Sequence, residues 1–188
     1  MTVDTERIER AVHELLAALG EDPTRDGLVK TPHRVAKMYE ELFAGFGENP
    51  ADHLEITFAA DHDEMVMVRD IPLFSSCEHH LIPFVGVAHV AYLPAERIIG
   101  LSKLARVVEH YSRDLQVQER LTKQVAACIQ EHLSPKGVGV VLEAEHMCMS
   151  LRGVQKPGTR TVTSALHGLV RDDPRTREEF LSLTGGRR

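Results

Sequence analysis

The sequence predicts an α+β domain built on an antiparallel sheet. Two observations carry this. Apolar residues recur at helical spacing over the first 43 positions and again from 104 to 132, whereas 65–69, 85–93 and 138–142 are short, valine-rich runs of strand character. The elements follow as two helices, two strands, two helices, two strands and one helix. Strands that come in pairs on short links, with helices between the pairs, favour antiparallel pairing.

Ile8, Val12, Leu15, Leu16 and Leu19 form the apolar stripe of the first helix, with Asp4 as its cap and Gly20 as its left-handed terminator. The polar connection 21–30 carries two turn signals, Asp22-Pro23 and Asp26-Gly27. Thr31-Pro32 reads as cap and first residue of a second helix, with Val35, Met38, Tyr39, Leu42 and Phe43 as its buried stripe and Gly45 and Gly47 as its stop. Arg34 and Lys37 lie three apart on that helix, a spacing that a solvated basic face explains as well as a binding face.

Met65 to Arg69 reads as a strand entering the turn at Cys77, and Val85 to Leu93 as the strand leaving it, ended by Pro94. His89 is expected to be a hydrogen-bonded strand histidine. Leu104, Val107, Val108 and Tyr111 mark a third helix. Ser102, Lys103 and Arg106 stand at its start, where backbone donors and the helix dipole favour an anion. Val117, Leu121, Val125, Cys128, Ile129 and His132 mark a fourth helix, with Gln118 and Glu119 in its first turn and Cys128 as inert packing. After the breaker Ser134-Pro135-Lys136-Gly137, Val138, Val140 and Leu142 alternate as a strand running on to His146 and Cys148, with Arg152 just beyond. Thr159 to Val170 is β-prone, and Asp173-Pro174 opens a last short helix.

With 188 residues, 43% hydrophobic and 27% charged, the chain has the size and composition of one globular domain. Three cysteines make no disulfide framework, and the first residues lack the basic and apolar segments of a signal peptide, so a reducing cytoplasm is expected. No apolar run has the length of a membrane span. The net charge of −6 disfavours non-specific nucleic-acid binding, so an anionic substrate would need local basic residues.

The chemistry concentrates in Ser76-Cys77-Glu78-His79-His80 and Glu145-His146-Met147-Cys148. A turn would bring Cys77 and His80 to one side, and a strand would put His146 and Cys148 on one face. Sulfur and imidazole donors of this kind point to zinc. Two arrangements fit. Either all four ligate in a closed structural site, a zinc-stapled oligomerisation or regulatory module, or three ligate and water takes the fourth position, leaving a histidine for proton transfer. Spacing does not choose between them. Glu78 and His79 weigh towards chemistry, because a structural staple has no use for extra titratable groups.

Five blocks in order carry a resemblance: Thr31-Pro32-His33-Arg34-Val35-Ala36-Lys37-Met38, Ser76 to His80, Gly100-Leu101-Ser102-Lys103-Leu104-Ala105-Arg106, Gln116-Val117-Gln118-Glu119-Arg120-Leu121-Thr122, and His146-Met147-Cys148 with Arg152-Gly153-Val154. Over nearly its whole length the chain closely resembles the GTP cyclohydrolase I family. Val87 and Asp114 depart from the family pattern, which usually has basic residues there.

The resemblance implies a tunnelling fold, with helices on one face of the sheet and an N-terminal helical part at 1–60 preceding the fold proper at 61–188, assembled into a ring-shaped homodecamer. It implies zinc held by Cys77, His80 and Cys148, and GTP as substrate. The metal would activate the water that adds to carbon 8 of guanine. His146 would donate a proton to the ring nitrogen, His79 would serve ring and ribose opening, and Ser102 would lie near the ribose. Gln118 and Glu119 would read the guanine edge, and Arg34, Lys37, Lys103, Arg106 and Arg152 would bind the triphosphate across subunits. Formate and 7,8-dihydroneopterin triphosphate would be the products.

Overall fold

The computed structural model describes residues 3–45, 47 and 49–185, which divide into two compact units, Met1–Glu48 and Asn49–Arg188. The N-terminal unit holds α1 (Thr5–Ala18) and α2 (Thr31–Leu42). Asp4 caps α1 by accepting from the Arg7 N–H at 2.9 Å, and Gly20 follows with φ +86. α2 begins one residue earlier than expected: Thr31 is its first residue, and Lys30 precedes it without a side-chain cap. The two apolar stripes are only thinly covered. Val12 and Ala36 are the buried residues of their helices, whereas Leu15, Leu19, Met38 and Leu42 are exposed. Periodicity found the faces correctly and overstated their burial, because a two-helix unit has no second layer to close over both.

In the second unit a single 3-10 turn, Pro50–Leu54, precedes β1 (Thr57–Ala59), β2 (Val66–Cys77), β3 (Pro83–Leu93), β4 (Arg97–Ile99), α3 (Leu101–Ser112), β5 (Leu115–Gln116), α4 (Gln118–Leu133), β6 (Gly137–His146), the one-turn α5 (Met147–Ser150), β7 (Arg160–Gly168), the one-turn α6 (Leu169–Asp172) and α7 (Pro174–Thr184). Five strands form one sheet in the order β5-β2-β3-β6-β7, antiparallel throughout except for the short parallel β2–β5 pair, and β1 and β4 form a separate antiparallel ribbon.

The β2 strand is longer than valine content predicts. Its register shifts between Val68 and Ile71, and Asp70 takes φ +55 there, so the strand bends and then pairs with β3 as far as Ser76. His89 supports this bulge by accepting from the Asp70 N–H at 3.2 Å, as expected of a strand histidine with a structural partner.

The main core lies between α3, α4 and one face of the sheet. Leu104, Val107, Val108, Leu121, Val125 and Ile129 meet Ile71, Leu73, Val90, Val140 and Leu142. Cys128 is buried in this layer, as its place on the apolar stripe predicts, but His132 is exposed. The alternate residues Ala91 and Val141 join Val170 and Phe180 in a second cluster. Because neighbouring strand residues point to opposite faces, α7 packs on the face away from α3 and α4, a departure from the expected single helical face. Gly139 makes this docking possible, since a Cβ there would meet the Phe180 ring at 2.6 Å. Asp173 caps α7 by accepting from the Thr176 N–H at 2.8 Å.

Candidate metal centre and nucleotide site

The antiparallel β2–β3 pair ends at Ser76 and Pro83, and the turn between them carries Cys77 and His80. Cys77 donates its N–H to the Ile82 carbonyl at 3.0 Å, the Leu81 N–H returns to the Cys77 carbonyl at 2.9 Å, and Leu81 takes φ +55 to close the loop. Strand geometry delivers the third residue from across the sheet. Phe84 is in register with both Ser75 on β2 and His146 on β6, so the end of β6 lies beside the turn. The strand stops at His146. Cys148 does not share a strand face with it, as the spacing suggested, but stands on the one-turn helix α5.

Cys77, His80 and Cys148 each offer a ligand atom, and these atoms all lie within 4.8 Å of one another. Cys77 Sγ is 3.9 Å from His80 Nδ1. A tetrahedral zinc with bonds of about 2.3 Å to sulfur and about 2.0–2.1 Å to nitrogen sets its ligand atoms about 3.5–3.8 Å apart, so the donor set and its spacing fit the ion. Burial, and after it the neighbouring Cys77 thiol, pushes the Cys148 thiol above its ordinary value. Two thiols so close repel as thiolates, and a cation between them removes that penalty.

His146 lies outside this group. Its Nε2 is 2.8 Å from the side-chain oxygen of Gln118, and its ring stacks on buried Phe84 with centroids 4.6 Å apart and 9° between the planes. Burial lowers its tendency to carry charge, against a smaller opposing pull from Glu119. His79 is exposed on the turn, with Nδ1 3.9 Å from Cys77 Sγ.

Behind the turn is a clamp that motif reading did not single out. Arg120 donates to the Glu78 carboxylate at 2.5 Å, to the Leu115 carbonyl at 2.6 Å and, through Nε, to the Gln116 side-chain oxygen at 3.1 Å. Buried Gln116 in turn donates to the Tyr111 carbonyl at 3.0 Å and to Gln124 at 2.8 Å. The hydrogen bond from Arg120 holds the Glu78 carboxyl below the usual range. Arg120 lies inside one of the five blocks, which was the available signal, but its partner is 42 positions away in sequence.

Ser102, Lys103 and Arg106 occupy the first two turns of α3, whose N-cap is Gly100. Glu119 is exposed at the start of α4, whereas Gln118 is buried with its amide turned into the protein. Arg152 is exposed in the loop after α5, and that loop is tied down by Glu145, which accepts from Ser150 Oγ at 2.6 Å and from the Gly158 N–H at 2.8 Å. Arg34 and Lys37 belong to α2 of the N-terminal unit, where Lys37 donates to Glu40 at 2.8 Å.

The family model for GTP cyclohydrolase I matches residues 8–185. This chain belongs to the GTP cyclohydrolase I family. It is 58% identical to GTP cyclohydrolase 1 of Carboxydothermus hydrogenoformans, over 97% of this chain and 96% of that one. It is 58% identical to the Thermobifida fusca enzyme of the same name, over 99% of this chain and 91% of that one. The Clostridioides difficile enzyme is 57% identical, over 96% of each chain. Among solved structures, the apo form of the archaeosine synthase QueF-Like overlaps 57% of this chain and 97% of its own, at a TM-score of 0.48 and 15% identity. Among the described residues, no helix is long and apolar enough to cross a membrane.

Proposed function

We propose that this protein converts GTP and water into 7,8-dihydroneopterin triphosphate and formate, the entry step to folate and related pterins. The observation that supports the reading is the convergence of Cys77, His80 and Cys148 in one group, with His146 outside that group and its Nε2 on Gln118. Zinc bound by the three would supply a Lewis acid that lowers the pKa of water towards neutrality. The protein's own groups do the rest.

His146 passes a proton to the imidazole nitrogen of guanine as carbon 8 is attacked, and His79, exposed on the turn, serves ring opening and ribose opening. Ser102 holds the ribose. Glu119 accepts from the amino and ring N–H groups of guanine, which supplies the base selectivity a carboxylate is suited to. Lys103 and Arg106, three apart at the start of α3, bind the triphosphate with the help of the helix N-terminus, and Arg152, Arg34 and Lys37 complete the neutralisation. Cations on so many separate elements favour a pocket completed by neighbouring copies in a tunnelling-fold ring, with a homodecamer as the assembly. The chain acts as one catalytic domain in the cytoplasm, whose reducing conditions keep the ligand thiols free.

The test is an incubation of metal-quantified protein with GTP, followed by assay of formate and of a pterin that fluoresces after oxidation. Equal amounts of both, abolished by a chelator, are expected. Protein carrying one metal per chain that forms neither product would refute the proposal.

A further inference from the structure

The hydrogen bonds around Gln118 determine more than its position. Gln118 is 1% exposed at the first turn of α4, and its side-chain nitrogen lies 3.1 Å from the Leu142 carbonyl on β6 and 3.0 Å from the Thr161 carbonyl on β7. Backbone carbonyls only accept. The amide therefore cannot be turned end for end, because that would set its oxygen against two others. The hydroxyls agree with this orientation. Thr122 Oγ1 spends its proton on the Gln118 backbone carbonyl at 2.6 Å, so the Thr163 hydroxyl, 2.6 Å away, must donate to Thr122. Thr163 Oγ1 is thereby free to accept from the Gln118 amide at 3.1 Å.

With the nitrogen end committed, the oxygen end is what faces His146 Nε2 at 2.8 Å. An amide oxygen can only accept, so Nε2 carries the hydrogen. A half-turn of the imidazole would keep it parallel to the Phe84 ring but set a carbon, Cε1, against the Gln118 oxygen and forfeit the 2.8 Å hydrogen bond, so the orientation with Nε2 there is the satisfied one.

We infer that Gln118 is a positioning residue for His146: its amide, locked by two backbone carbonyls, holds the histidine as the Nε2–H tautomer and leaves Nδ1 as the nitrogen that exchanges protons with the substrate. This rests on the proton-transfer role proposed for His146, and it moves Gln118 from reading the guanine edge to standing behind the catalytic histidine. A site of this kind separates duties within one ring. One nitrogen anchors, the other works. The proton that His146 passes on then leaves from Nδ1 of the charged ring and leaves the neutral Nε2–H tautomer behind, whereas without the anchor the neutral ring divides between two tautomers and Nδ1 is no longer singled out for the exchange.

Two measurements test it on the full, metal-loaded protein. In protein labelled with nitrogen-15 histidine, the His146 resonances are identified by their loss in His146→Gln. The neutral ring is expected to show a pyrrole-type Nε2 and a pyridine-type Nδ1, and the reverse pattern would overturn the inference. That readout needs neither turnover nor a Gln118 variant, so it stands even if GTP proves not to be the substrate. In the second, Gln118→Met, which keeps the volume and loses the acceptor, is expected to retain its zinc and its KM for GTP within a fewfold while kcat falls about tenfold to a hundredfold, a fraction of what general acid–base groups supply. A kcat equal to the parent's in zinc-loaded Gln118→Met would show Gln118 to be packing alone. If that variant does not fold, the labelled parent protein decides the matter.

Discussion

At the scale of single residues, the distinction that matters is between a histidine placed in the donor group and one that stands outside it. His80 contributes a ligand atom to the group of three, whereas His146 gives its Nε2 to Gln118 and its face to Phe84. Replacing His146 with alanine should therefore leave metal binding intact and remove proton transfer. Zinc content by atomic emission should stay at one per chain while turnover falls by about 100-fold or more, the usual contribution of a positioned acid or base. A zinc-free His146→Ala protein would mean that all four side chains ligate and that the site is a structural staple. The candidate ligands were legible in the sequence because cysteine and histidine at short spacing have few other uses in a chain without disulfides, but spacing left four candidates and only the family resemblance chose Cys77, His80 and Cys148 among them. The inward turn of Gln118 was not legible. Its partners are the main-chain carbonyls of Leu142 and Thr161, and a carbonyl has no sequence signature.

At the scale of elements, the turn 77–82 is held from two directions. Backbone bonds close it on itself from Cys77 to Ile82 and tie the Glu78 N–H to the Gln116 carbonyl of β5, and the Arg120 side chain on α4 ties the Glu78 carboxylate to β5 as well. Arg120 and Glu78 are each partly exposed, so their pairing contributes little to global stability. Its effect is local. Three acceptors, one on the turn and two on β5, fix the guanidinium, and the guanidinium fixes the residue between Cys77 and His79. Loss of this support should loosen the ligand turn in the way that loss of outer hydrogen bonds loosens other metal sites, by about tenfold to a hundredfold in affinity. Arg120→Ala should accordingly lose a chelator competition that the parent protein wins, with an unchanged thermal midpoint for the apo forms. Arg120→Lys should recover little, since a single ammonium cannot reach all three acceptors. Equal zinc affinity in parent and Arg120→Ala would show the clamp to be incidental. The helices and the β3 strand were readable from periodicity and valine content. The full length of β2 was not, because Asp70 and Pro72 interrupt its pattern and the bulge that accommodates them is set by pairing with β3 and by His89.

At the scale of the whole molecule, what is absent from the interior of one chain is informative. Large apolar side chains remain in water: Phe74 on β2 is 66% exposed, Val162 on β7 61%, and Leu151 and Val154 beside the metal loop 69% and 60%. Burying a side chain of this size is worth about 1.5–3 kcal/mol, so several together supply enough to drive association of copies. Both outer strands of the sheet, β5 and β7, also present an edge that pairs on one side only among the described residues. Unpaired edges and exposed apolar residues on one structure are the features that natural proteins keep when another chain covers them. Periodicity overstated burial for α1 and α2 because a stripe read from sequence reports where apolar residues point, not what covers them. Sedimentation should therefore give a mass several times the 21.0 kDa of the chain. Phe74→Glu, which puts a charge in place of an exposed aromatic ring on β2, should shift the protein towards monomer. Because the cations proposed for the triphosphate are spread over α2, α3 and the loop after α5, the monomeric form should keep its zinc and lose turnover, with activity per chain falling as the protein is diluted through its assembly range. A monomer of Phe74→Glu with the parent's kcat and KM would show that one chain holds a complete site, and the proposal of a pocket shared between subunits would have to be abandoned.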